Sequence, residues 1–72
     1  MPQQIYEQST ERYFDTQTLH VIAVMQVVER KETRLMAISY DEFPHHIEIV
    51  TIHPIKRNQI INRVKAQRWI EQ

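Results

Sequence analysis

Seventy-two residues with nine acids and nine bases make one small domain, 1–72, of zero formal charge. The chain has no cysteine, which excludes disulfides and thiolate metal sites. It has no glycine either, which excludes the Gly-rich phosphate loops of the dinucleotide and P-loop kinds.

A chain this short buries a limited share of its surface, so its core is marginal unless something supplements it. No apolar run approaches the roughly 18 residues that span a bilayer. The start, MPQQIYEQ, lacks the basic and apolar regions of a signal peptide. The expectation is a cytoplasmic protein with no membrane contact, and nothing in the chain calls for a cofactor. Hairpins built on Asn-Gly or Asp-Gly are also excluded, so turns fall to Asp, Thr, Pro, Lys and Glu.

Charge is unevenly spread. Residues 1–55 carry eight acids against four bases, whereas residues 56–72 carry five bases (Lys56, Arg57, Arg63, Lys65 and Arg68) against Glu71 alone. A basic C-terminal element either faces an anionic partner or balances an acidic sheet internally.

In chain order, residues 1–4 are expected to fray. Residues 5–14, IYEQSTERYF, read as a strand from their aromatic and Thr content, with a short helix over Ser9–Phe14 as the alternative. Asp15-Thr16-Gln17 is a turn, because Asp bonds its own downstream backbone. Residues 18–29, TLHVIAVMQVVE, are the surest strand. Leu19, Val21, Ala23, Met25 and Val27 share one face, and Ile22, Val24 and Val28 the other. A strand apolar on both faces is covered on both faces. ERKE (29–32) is a turn and residues 33–40 the next strand; DEFPH (41–45) is a looser turn. Short segments joined by short loops predict antiparallel meander order.

Residues 46–53 form the next strand, with Ile47 and Ile49 expected on one side and Val50 and Ile52 on the other. Pro54 has no N–H to donate and stops the ladder. Residues 56–70 read as a helix with a narrow stripe of Ile60, Ile61 and Val64. Arg57 and Arg68 flank that stripe. Trp69 falls off it, which predicts a half-wet ring at the helix end, at a domain edge or subunit contact. The predicted fold is therefore α+β: a three- to four-stranded antiparallel meander followed by one C-terminal helix.

The four histidines do not have metal spacing. His45 and His46 are adjacent and point to opposite faces of a strand, and none pairs at helical spacing with an acid. No metal site is expected. His53 is placed differently, at a strand end before a helix whose first turn holds Lys56 and Arg57. Backbone amides and the macrodipole there favour an anion; two bases in the first turn run against the usual preference for acids, a conflict that a bound phosphate or carboxylate would relieve, unless both side chains simply extend into water. Arg12, Tyr13, Tyr40, Arg63 and Arg68 are the other groups able to contact phosphates or stack on bases. The anion- or nucleic-acid-binding candidates are thus Arg12, His53, Lys56, Arg57, Arg63 and Arg68.

The segments ERYFD, TLHVIAV, RLMAISYD and IEIVTIHPI, followed by a helix ending in RW, resemble the sheet half of the RelE/ParE-like toxin superfamily. The resemblance spans roughly residues 11–70. It implies ribonuclease or gyrase-directed activity and a cognate protein partner. It makes Arg12, His53, Arg63 and Arg68 the phosphate-binding or acid–base positions. Members usually begin with two helices packed on the sheet, for which this chain has no room.

Two functions follow as expectations. One is a non-enzymatic interaction or assembly domain. The other is a small RNA-directed nuclease. One helix covers one sheet face, so the other apolar face predicts a homodimer, formed sheet to sheet or by helix exchange.

Overall fold

The structure, a computed structural model, describes residues 1–72. Its elements are α1 (Pro2–Gln8), β1 (Glu11–Asp15), β2 (Val21–Glu29), β3 (Glu32–Glu42), β4 (Ile47–Pro54), α2 (Arg57–Lys65) and β5 (Trp69–Glu71). The class is α+β. All five strands form one antiparallel sheet in the order β4-β3-β2-β1-β5. The first four strands run as a meander, and β5 adds to the far side of β1. None of the helices is long and apolar enough to cross a membrane.

The sheet is centred on the β2–β3 hairpin. Glu29 faces Glu32 across a two-residue turn, and the ladder runs without a slip to Val21 opposite Tyr40. The turn residues Arg30 and Lys31 have φ of 51° and 67°. Both lie in the left-handed region that Asn and Gly normally fill in such turns. Without glycine, two long basic residues occupy it.

Both faces of this hairpin are apolar, and each has its own cover. On one face Ile22, Val24 and Ala37 pack with Tyr13, Ile55, Ile60 of α2 and Trp69. On the other, Ala23, Val27, Met36, Ile38 and Tyr40 pack with Ile5 of α1. The second face is therefore covered by the N-terminal segment, which removes the bare face that predicted sheet-to-sheet pairing.

Residues 5–14 were expected to be a strand; the structure divides them between α1 and β1. Pro2 suits the first helical turn, and Gln3 reaches Glu7 at 2.9 Å, one helical turn on. Ser9 ends the helix and donates to the Val24 carbonyl at 2.5 Å, anchoring it to β2. Arg12 strengthens the join: its guanidinium donates to the Tyr40 hydroxyl at 2.5 Å and to the Tyr6 carbonyl. It also lies over both tyrosine rings.

The expected helix 56–70 is shorter and is followed by a strand. Gln67 adopts φ 57°, the Arg68 amide donates to the Arg63 carbonyl, and the Gln67 amide to that of Val64. This paired motif closes a helix and reverses the chain. It delivers Trp69 into β5, opposite Asp15. Trp69 is consequently buried, not half-wet: 3% exposed and stacked on Tyr13 with centroids 5.4 Å apart. Within α2 only Ile60 is buried; Ile61 and Val64 remain exposed.

β4 also departs from simple alternation. Ser39 pairs with Thr51 but Tyr40 pairs with Ile49, so Val50 is an extra residue in a bulge. A bulge resets parity. Ile47, Ile49 and Ile52 therefore share the face of Tyr40 and Ile38, instead of being split two and two. Pro54 ends this strand, opposite Met36.

Candidate functional site

A cleft of about 290 Å³, with Ile22, Val50 and Trp69 in its walls, opens on the α2 face of the sheet. It lies where the start of β2, the end of β3, β4 and the α2–β5 reversal converge. His20, Ser39, Thr51, His53, Arg63, Arg68 and Asp15 supply its polar lining.

Register explains the floor. Ile22, Ser39 and Thr51 lie in one row across β2, β3 and β4. The Ser39 and Thr51 hydroxyls are 2.6 Å apart and bond one another. One step beyond the last β2–β3 pair, His20 lies beside Asp41, and its Nδ1 is 2.6 Å from the Asp41 carboxylate. When Nδ1 carries the proton and donates it to Asp41, Nε2 is left as an acceptor.

The opposite wall is built by the reversal after α2. Asp15 is its hub. Its carboxylate accepts the Gln17 and Thr18 amides at 2.9 and 3.2 Å and the Trp69 indole N–H at 3.2 Å. Arg68 lies 3.5 Å from the same carboxylate. Burial by itself would raise the Asp15 pKa. The two amides, the indole and the Arg68 charge outweigh it and hold the carboxyl below its ordinary value. Arg63 lies over the Trp69 ring at 4.8 Å. Arg68 Nε is buried without a hydrogen-bond partner. A buried guanidinium N–H left unpaired is costly.

The structure brings together His53, Arg63 and Arg68 of the sequence candidates. Arg12 lies on the opposite face and ties α1 to β3. Lys56 is the N-cap of α2, its amide accepted by Gln59 Oε1 at 2.9 Å. Arg57 is held 2.6 Å from the Glu11 carboxylate, so the two bases at that helix start do not share a site with His53. No three acidic or histidine side chains gather as a metal site.

His20, Asp41, Ser39 and Thr51 were not singled out from sequence, and Asp15 was read only as the turn residue that it also is. His20 and Asp41 had a usable signal: with Glu29 opposite Glu32, antiparallel counting sets residue 20 beside residue 41. Thr51 had none, because the Val50 bulge shifts its register.

The chain matches no protein-family model, no curated protein and no solved structure.

Proposed function

We propose that this is an RNA-directed domain that holds a phosphodiester in the cleft and cleaves the strand there. The observation that carries the reading is convergence. An acid-oriented histidine, a second histidine and two arginines line one cleft. RNA brings its own nucleophile, the 2′-hydroxyl. A site then needs to remove one proton, supply another and stabilise charge on phosphorus oxygens. His20 Nε2 accepts the 2′-hydroxyl proton, with Asp41 holding the ring. The 2′-oxygen bonds to phosphorus, and the bond to the 5′-oxygen breaks. His53 in its protonated form donates to that leaving oxygen. Arg63 and Arg68 face the phosphate oxygens. The products are a 2′,3′-cyclic phosphate and a free 5′-hydroxyl. The resemblance to RelE/ParE-like toxins points the same way.

A non-enzymatic interaction domain is the second reading. The local charge balance favours it, since Asp15 and Asp41 offset Arg63 and Arg68 and leave little surplus for a polyanion.

Fluorescence anisotropy with a labelled single-stranded RNA, together with a cleavage gel, separates the two. With two phosphate contacts, affinity falls about sevenfold between roughly 50 and 200 mM salt. His20→Ala should abolish cleavage and leave binding within about threefold, and a 2′-deoxy substrate should bind uncut. Binding without cleavage selects the interaction reading. No salt-dependent binding overturns the RNA assignment.

A further inference from the structure

We propose that a second copy of this chain docks along β4, strand to strand and antiparallel, about a two-fold axis near Val50. β4 is one edge of the sheet. It is the least covered element: seven of its eight residues are exposed and Ile47 is half-buried. α1 lies over β2 and β3, and α2 lies beside β5. Ile49 and Ile52, on the face of Tyr40 and Ile38, are therefore left 36% and 39% exposed, and Val50 is 47% exposed. An apolar edge strand with an unpaired row of backbone groups is a template for another strand. The opposite edge is different, because β5 has only three residues.

Several features make a second copy the fitting occupant. Glu48, 3.4 Å from its neighbour His46, lies toward one end of β4, and His53 lies at the other. An antiparallel pair sets the Glu48 carboxylate of each strand against the His53 imidazole of the other at both ends of the contact, so the strand is complementary to itself. The bulge at Val50 divides the edge into segments 47–49 and 51–54. A two-fold axis beside the bulge, between Val50 and Thr51, sets Ile49 against Ile52 of the other strand, residues of one face, and leaves the two bulges facing each other at the axis. The chain has no net charge to oppose association.

The contact would also enlarge the cleft. Val50, Thr51 and His53 of β4 line it, so the partner's β4 would stand along its open side and bring two clefts together across one ten-stranded sheet. The dimer stands on β4 alone and does not depend on what the cleft binds.

Sedimentation equilibrium from about 1 to about 100 μM is the test, since self-association is set by concentration. The expected result is a monomer–dimer equilibrium within that range. Ile52→Lys places a charge on the edge and should leave only monomer, with the far-UV spectrum unchanged. Glu48→Lys, at an exposed position that the fold tolerates, should weaken the dimer about tenfold and so decides the matter if the first variant does not fold. Val28→Lys, exposed and away from β4, should leave it intact. Monomer at every concentration overturns the proposal. So does a dimer that Glu48→Lys does not weaken.

Discussion

Ile5→Ala tests whether a seven-residue helix really closes the second face of the sheet. Ile5 is fully buried against Ala23, Val27, Met36, Ile38 and Tyr40, and it is the one fully buried side chain that α1 contributes. The substitution removes three carbon groups. At about 0.8 kcal/mol per buried methylene, the transfer loss is about 2.4 kcal/mol. A residual cavity adds to this, and buried Ile→Ala changes generally span about 2–5 kcal/mol. A helix this short can settle into part of the space, so a loss of about 3 kcal/mol is expected. Domains of this length have total stabilities of roughly 4–11 kcal/mol, so the variant loses a large fraction. Urea unfolding followed by Trp69 emission is the assay. Trp69 lies on the opposite face, so its transition reports the whole fold and not the helix alone. Val28→Ala, at a position 72% exposed, should stay within about 0.5 kcal/mol. An Ile5→Ala loss below about 1 kcal/mol, with an unchanged urea slope, would show that α1 is not docked and that the face needs another cover.

Two further perturbations act elsewhere in the chain. Replacing Arg30-Lys31 with Asn-Gly should stabilise the protein by about 1 kcal/mol, because those types accept the left-handed backbone that the present residues hold under strain; urea midpoints measure it, and an unchanged or lower midpoint would contradict the strain. Burial, and then donation to Glu11 at 2.6 Å, push the Tyr13 pKa from 10.0 up to about 12. The folded state retains that proton longer than the unfolded state does, so the stabilisation is whole below pH 10 and is lost as pH rises through about 12. Burial raises Tyr40 as well, so Tyr13→Phe should shrink the alkaline loss in a melting series without abolishing it.

The central hairpin was legible because its strands are long, β-branched and apolar on both faces. Two of the helix and strand boundaries were not, for reasons that are local. PQQIYEQ has almost no periodic pattern, since a seven-residue helix needs only Ile5 to face inward; the aromatic and Thr content just after it favours strand and obscures the boundary at Ser9. The end of α2 was hidden because its stop residue is Gln67 in a conformation usually signalled by Gly. With that signal absent, Arg68 and Trp69 read as a further helical turn. The face of β4 was misread for a related reason: a bulge leaves no mark on a run of Ile, Val and Thr, and a one-residue slip exchanges the two sides.

The same hidden reversal explains why part of the cleft could be anticipated and part could not. Arg63, Arg68 and His53 drew notice by residue type, but a continued helix would have carried Arg68 and Trp69 past the sheet. The chain instead turns at Gln67. Thr16 is then bonded to the Gln67 and Arg68 carbonyls, and the Arg68 carbonyl also accepts the Thr16 amide at 2.8 Å. These contacts fix the β1–β2 loop against the reversal, and Asp15 at the root of that loop receives Trp69 from the other side. One carboxylate thereby joins two segments 54 positions apart and places Arg68 at the cleft wall. The hub and the cleft are a single construction: the bonds that end α2 and seat β5 also decide where the arginines stand relative to His20 and His53. Asp15 already accepts three hydrogen bonds and faces the Arg68 charge, so it is occupied as a structural hub, which leaves His20, with Asp41 behind it, and His53 as the cleft's groups for proton transfer to or from a ligand.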